Sequence, residues 1–161
     1  MTGLTHIGPD GRAVMVDVSA KTDTERTAIA VGHIDMTADA FTQATNRSTK
    51  KGDPLAIAEL AGIMAAKKTS DLVPLCHPLP LTKIKVEITP DDKQPRLHVM
   101  ASVKTTGKTG VEMEALTAVS VACLTLYDML KAIDKTMTIG GINLQEKTGG
   151  KSGHFINRPD A

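Results

Sequence analysis

The sequence has no tryptophan, one tyrosine and two phenylalanines in 161 residues. So small an aromatic supply leaves the core to aliphatic residues, alanine and methionine, and it provides no base-stacking platform for single-stranded nucleic acid. The two cysteines, Cys76 and Cys123, stand far apart, so a disulfide scaffold is not expected and a reducing cytoplasm is the expected setting. Neither sign of charge dominates: the formal net charge is +1. No overall field therefore draws the chain to nucleic acid or to an anionic membrane, although local basic clusters can still form. No apolar run reaches the ~20 residues of a membrane span, and MTGLTHIGPDGRAV lacks the basic and apolar regions of a secretory leader. Neither CxxC nor HxxxH spacing occurs, so no metal site is expected. With no composition break, repeat or low-complexity tract, residues 1–161 read as a single domain.

What is present orders itself as strands and helices. Thr2 to Met36 reads as β structure, with a turn at Pro9-Asp10-Gly11. Within it, Ala13–Val18 pairs with Ala28–Met36 across a polar connection holding Lys21 and Arg26. Thr37 is a good N-cap for a short helix from Ala38 to about Asn46. RSTKKGD, with Lys50 and Lys51, is either a solvated loop or a phosphate-contacting one. Asp53-Pro54 starts a second helix through LAIAELAGIMAAKK, with Leu55, Ala58, Leu60, Ile63 and Met64 as its apolar contacts. Lys67 and Lys68 end it, and could equally hold an anion. In SDLVPLCHPLPL, Pro74, Pro78 and Pro80 forbid regular structure, so Cys76-His77 sits in a rigid extended segment, a common place for binding groups. Leu81–Thr89 and Arg96–Thr105 alternate cleanly and form an antiparallel hairpin. A last strand is expected at Thr136–Glu146, bulged at Gly140-Gly141. The order gives an α+β fold with helices on one face of a mostly antiparallel sheet, in the ferredoxin-like βαββαβ pattern.

The longest stretch without proline or internal glycine follows Gly107-Lys108-Thr109-Gly110. From Val111 to Lys135 it can run as one helix of about 25 residues, roughly 37 Å long. Leu116, Val119, Cys123, Leu126, Leu130 and Ile133 share one face; Thr117, Val121, Leu124, Asp128 and Lys131 share nearly the opposite one. Both faces are apolar in the middle, so the sheet should cover one and a second subunit the other. Asp128 and Lys131 are spaced to meet. They are either a surface ion pair or, if buried, a pair with shifted pKa values suited to proton transfer. Glu112 and Glu114 open the helix, where acids favour the dipole. Glu114 and Asp128 point the same way but lie about 21 Å apart along the axis. A site using both ends must be shared between subunits packed about a two-fold axis.

Gly107-Lys108 and Gly150-Lys151 invite comparison with a P-loop, but Ser102 and Gln145 stand where its first glycine belongs. What remains is a pair of glycine-lysine turns able to receive phosphate. On these residues alone the chain reads as an α+β oligomer with a phosphate-bearing ligand, and the chemistry stays open.

The segments KKGDPLAIAELAGIMAAKKTSDLVPLCHPLPL, TGKTGVEMEALTAVSVACLTLYDMLKAIDK and GGKSG, with MVDVSAK before them, closely resemble the cyclic pyranopterin monophosphate synthase (MoaC) family of molybdenum cofactor biosynthesis. The resemblance is co-linear over most of the chain. Ser70 departs from the aromatic that often precedes the Asp-Leu dipeptide, and the tail after Gly153 is individual. The resemblance implies conversion of 3′,8-cyclo-7,8-dihydroguanosine 5′-triphosphate to cyclic pyranopterin monophosphate with release of pyrophosphate. It implies no redox cofactor, with Mg2+ able to accompany the triphosphate. It implies a ferredoxin-like subunit in a homo-hexamer, a trimer of dimers with sites at the dimer interface. It places the catalytic pair on Asp128 and Lys131, joined by Lys51. Substrate contacts fall on Leu75, Cys76, His77, Met113 and Glu114, with support from Glu112, Lys67, Lys147 and Arg26. The alternative is a non-catalytic oligomeric nucleotide-binding module on the same fold.

Overall fold

The computed structural model describes residues 6–157 apart from 9, 48 and 152. The expected start of β structure at Thr2, Pro9 of the first turn, Ser48 of the basic loop and Ser152 of the tail lie outside the described residues.

The sheet is built around β1 (Thr24–Asp35). Its alternate residues Ala28, Ala30 and Ile34 are at most 1% exposed, because they face the helices. On one side β1 pairs with β3 (Arg96–Gly107), setting Ala28 against Val103, Ala30 against Ala101 and Ile34 against Leu97. On the other it pairs with β4 (Thr138–Thr148), whose register shifts twice, once near the expected Gly140-Gly141 bulge. β2 (Leu81–Pro90) forms the expected hairpin with β3, and β5 (Phe155–Ile156) adds a short edge to β4. The order is β2-β3-β1-β4-β5, antiparallel throughout.

Ala13–Val18 is not a strand. Among the described residues its pairing is an isolated bridge between Ile7 and Ala13, and Val14 and Met15 are each 48% exposed. The reason lies in β1: β3 and β4 occupy both its edges, and β1 itself begins at Thr24, inside the stretch expected to be a polar connection.

Helix α1 (Ala38–Thr45) starts at Thr37, whose hydroxyl accepts from the Ala40 N–H. Helix α2 (Pro54–Ala66) starts at Asp53, whose carboxylate accepts from Leu55 and Ala56. A single turn, α3 (Thr69–Leu72), interrupts the segment expected to be extended. Helix α4 (Glu112–Leu130) crosses β1, β3 and β4, while α2 packs on β2 and α4. β1–α2–β2–β3–α4–β4, with its four strands ordered 2-3-1-4, is the ferredoxin-like arrangement. Contact between the two helices is close enough that a Cβ on Gly62 would lie 2.9 Å from the Ala118 carbonyl oxygen. By length and composition α4 could cross a membrane. Here it is the core helix, with Val119, Cys123, Leu126 and Leu130 fully buried.

α4 has 19 residues and ends at Leu130, short of Lys135. Ile133 and Asp134 both donate to the Leu130 carbonyl, closing the helix. The Asp134 carboxylate then accepts from the N–H and hydroxyl of Thr136 and from the Thr37 N–H, tying the turn to the start of α1. These donors hold the Asp134 carboxyl below its ordinary pKa. Two expected core contacts of α2 face outward instead: Leu60 and Met64 are 58% and 59% exposed. With Ile57 and, on α4, Leu124, they leave the outer helix surface apolar and uncovered by the described residues.

Candidate active site

The candidate residues gather at the two ends of α4. At its start the β3–α4 turn, Gly107 to Gly110, holds the Glu112 carboxylate over Gly110. That carboxylate accepts from Lys147 Nζ on β4 at 2.7 Å. Arg26, on β1, donates through Nε to the Gly107 carbonyl at 2.9 Å and through Nη2 to the Lys108 carbonyl at 3.2 Å. Arg26, Lys147 and Glu112 line one cleft together with Lys21 and Lys108.

A neighbouring cleft of about 290 Å³ is lined by Leu75, Cys76, His77, Met113, Glu114 and His6, among others. The proline segment that supplies its first wall is fastened to the sheet by the buried Thr105 hydroxyl, which donates to the Pro80 carbonyl. His77 Nε2 lies 2.9 Å from the Val16 carbonyl. A carbonyl oxygen only accepts, so Nε2 carries the proton and Nδ1 of the neutral ring is left as an acceptor. Glu114 is 4% exposed. Burial pushes its pKa up, and the nearby Glu112 charge adds to the effect. Burial also pushes the Cys76 thiol up, with the Glu114 charge second.

At the far end Lys131 Nζ lies 2.7 Å from Asp128 Oδ1 and Lys51 Nζ 3.3 Å from Asp128 Oδ2. Lys51 Nζ also donates to the Asp128 backbone carbonyl at 3.0 Å. Within the chain this pair is not buried: the side chains of Asp128 and Lys131 are 57% and 53% exposed. Its shifts therefore come from pairing. Lys131, then Lys51, hold Asp128 below the usual carboxylate range, and Asp128 holds Lys131 above the usual amine value. Tyr127, Ala132 and Lys135 join Lys51 and Lys131 around a cleft of about 450 Å³, and the Tyr127 hydroxyl donates to the Lys135 carbonyl.

α2 runs antiparallel to α4, since Lys51 before it meets Asp128 while Gly62 meets Ala118 and Ala122. Lys67, exposed at the end of α2, lies toward the start of α4 and lines none of these clefts. In the sequence Lys21 is a loop cation, and nothing there sets Tyr127 or Lys135 apart as site residues. Tyr127 carries a signal in hindsight, being the only tyrosine and adjacent to Asp128. Lys21 and Lys108 reach the same cleft only through the fold.

The MoaC family model matches residues 15–150. A protein of Cereibacter sphaeroides (strain KD131) is 59% identical over 155 residues, 96% of this chain and 98% of that protein. One of Heliobacterium modesticaldum is 58% identical over 156 residues, 97% and 98% of the two chains. One of Dinoroseobacter shibae is 57% identical over 155 residues, again 96% and 98%. Each of the three is named cyclic pyranopterin monophosphate synthase. A family match through both ends of α4, with relatives this similar over nearly their whole length, means that the chain belongs to the MoaC family.

Proposed function

We propose that this chain is a cyclic pyranopterin monophosphate synthase. It converts 3′,8-cyclo-7,8-dihydroguanosine 5′-triphosphate to cyclic pyranopterin monophosphate and pyrophosphate, a step of molybdenum cofactor biosynthesis. The observation that carries the reading is the Lys51–Asp128–Lys131 cluster in a chain so similar to the named relatives. Opening and reclosing a guanine-derived ring system needs several proton transfers. Lys131, a cation, can donate a proton to a ring nitrogen as its bond breaks, and Asp128, an anion, can accept one. Closing the cyclic phosphate needs a substrate hydroxyl oxygen to attack the α-phosphorus as its proton passes to a base, the role Asp128 can fill. The P–O bond to the β-phosphate breaks, and pyrophosphate leaves. Lys51 and Lys147 offset the charge on the departing group. His77, Glu114, Met113 and the Leu75-Cys76 backbone hold the guanine-derived end, with Glu112 and Lys67 in support. No redox cofactor enters, and Mg2+ would arrive with the triphosphate as part of the substrate. Two unpaired cysteines, one of them Cys123 with its thiol pushed up to about 12 by burial, suit a reducing cytoplasm.

The working form in this reading is a homo-oligomer with sites between subunits, a hexamer assembled as a trimer of dimers. Its support is the ~21 Å along α4 between Glu114 and Asp128. The exposed apolar residues Ile57, Leu60, Met64 and Leu124 add to it. The test is incubation of the purified protein with the cyclised GTP intermediate, following pyrophosphate and pterin product. Binding without conversion would replace the enzyme by a nucleotide-binding module. Lys131→Ala should lose at least ~100-fold in turnover while its size by light scattering is unchanged. Near wild-type turnover would remove Lys131 from the mechanism.

A further inference from the structure

Arg26 occupies an unusual place for a cation expected to contact phosphate. Its Nε–H and one Nη2–H are given to the carbonyls of Gly107 and Lys108, the first two residues of one glycine-lysine turn. Its other edge is covered by the second such turn. A Cβ on Gly149 would collide with the Glu25 carbonyl oxygen and sit 3.2 Å from Arg26 Cα. A Cβ on Gly150 would collide with Arg26 Nη1 and lie 2.8 Å from Cζ. Both glycines have positive φ, +94° and +74°, so the backbone there takes a form that side chains resist and presses onto the guanidinium. No carboxylate pairs with Arg26 among the described residues. β1 itself pairs with the ends of both flanking strands here, Arg26 opposite Thr105 and Thr27 opposite Thr148. Two turns nearly forty positions apart in sequence are thus joined through one side chain.

We infer that Arg26 is a positioning residue: its guanidinium fork holds the Gly107–Gly110 turn against the Gly149-Gly150 turn. In doing so it sets Lys108 and Lys147 around one anion-binding cleft. Phosphate is met by those lysines and by Lys21, which line the cleft with Arg26. The same turn leads directly into α4, so the fork also sets where Glu112 and Glu114 begin. Only a planar group with several fixed N–H donors can serve two carbonyls of one turn while its far edge lies under another backbone. An ammonium keeps the charge and loses the fork. The inference rests on the proposed triphosphate substrate for its consequence in catalysis, but not for the clamp itself.

The test compares Arg26→Lys with Arg26→Ala in the full chain, using tripolyphosphate as the probe, hydrogen exchange as a second readout and turnover as a third. With the fork gone, both variants should bind tripolyphosphate at least about tenfold more weakly, and within about threefold of each other. Backbone exchange should quicken at 107–112 and at 149–151 together, with the centre of β1 and β3 unchanged. Turnover should fall mainly through KM, and guanidinium ion should restore part of the loss in Arg26→Ala while ammonium does not. If Arg26→Lys binds tripolyphosphate within about twofold of the wild type while Arg26→Ala does not, charge suffices and Arg26 is a phosphate ligand. If exchange at the two turns is unchanged in both variants, the clamp does not exist. A wild type that neither binds tripolyphosphate nor turns over substrate refutes the proposed function, and the exchange measurement still decides the clamp.

Discussion

At the scale of single residues, Glu114 shows how this protein trades stability for a site. Its carboxyl is almost entirely buried, and burial, with the Glu112 charge nearby, raises its pKa. An acid so placed is tolerated best when protonated. Its contribution to stability is fullest below the unfolded value near ~4.3, and is lost as pH rises through the folded value. Glu114→Gln should therefore raise the melting temperature at pH 7 to 8 and leave it unchanged near pH 4, while weakening substrate binding. A melting temperature that is unaltered or lower at pH 8 would show that the carboxylate is compensated. The Asp128–Lys131 pair shows the opposite case. Its spacing was readable in the sequence, but its exposure was not, because burial depends on what lies over the helix end. Among the described residues Lys51 reaches the pair, and both side chains stay more than half exposed.

At the scale of elements, caps and alternation were legible and the ends of two elements were not. Thr37 and Asp53 cap the helices they were expected to cap, because a side-chain oxygen beside a free N–H is a local matter. The Leu81–Pro90 and Arg96–Gly107 hairpin follows its period of two. α4 stops early because of Asp134, whose partner Thr37 is remote in sequence. Ala13–Val18 has strand composition but no free edge of β1 to join. The α2–α4 crossing turns on Gly62. Alanine there gains about 1 kcal/mol of helix propensity. It also drives a methyl to 2.9 Å from the Ala118 carbonyl oxygen and 3.2 Å from Val86 Cγ2. Overpacking against backbone costs typically 1–3 kcal/mol, so the contact wins. Gly62→Ala should lower the melting temperature by a few degrees, about 2–4 °C per kcal/mol. A higher melting temperature would mean that the two helices separate easily.

At the scale of the whole molecule, one chain leaves its candidate site in two halves and its outer helix surface apolar. Mixing an inactive Asp128→Ala protein with an inactive Met113→Ala/Glu114→Ala protein should restore up to about a quarter of wild-type activity if sites are shared between subunits of a two-fold pair. Leu124→Glu should dissociate that pair and abolish activity together with it. Mixed samples that stay inactive, or a Leu124→Glu monomer with full activity, would place each site within one chain. The sequence by itself determined the main helices, the β2–β3 hairpin, the last long strand and the residue types at the site, because capping, periodicity and proline geometry act over a few residues. Only the tertiary structure decided that Arg26 faces backbone carbonyls, that His77 donates to Val16, and that Lys21, Lys108 and Lys147 surround one cleft. Those arrangements join residues brought together by strand pairing and helix packing, and no local rule specifies which distant groups such pairing will set side by side.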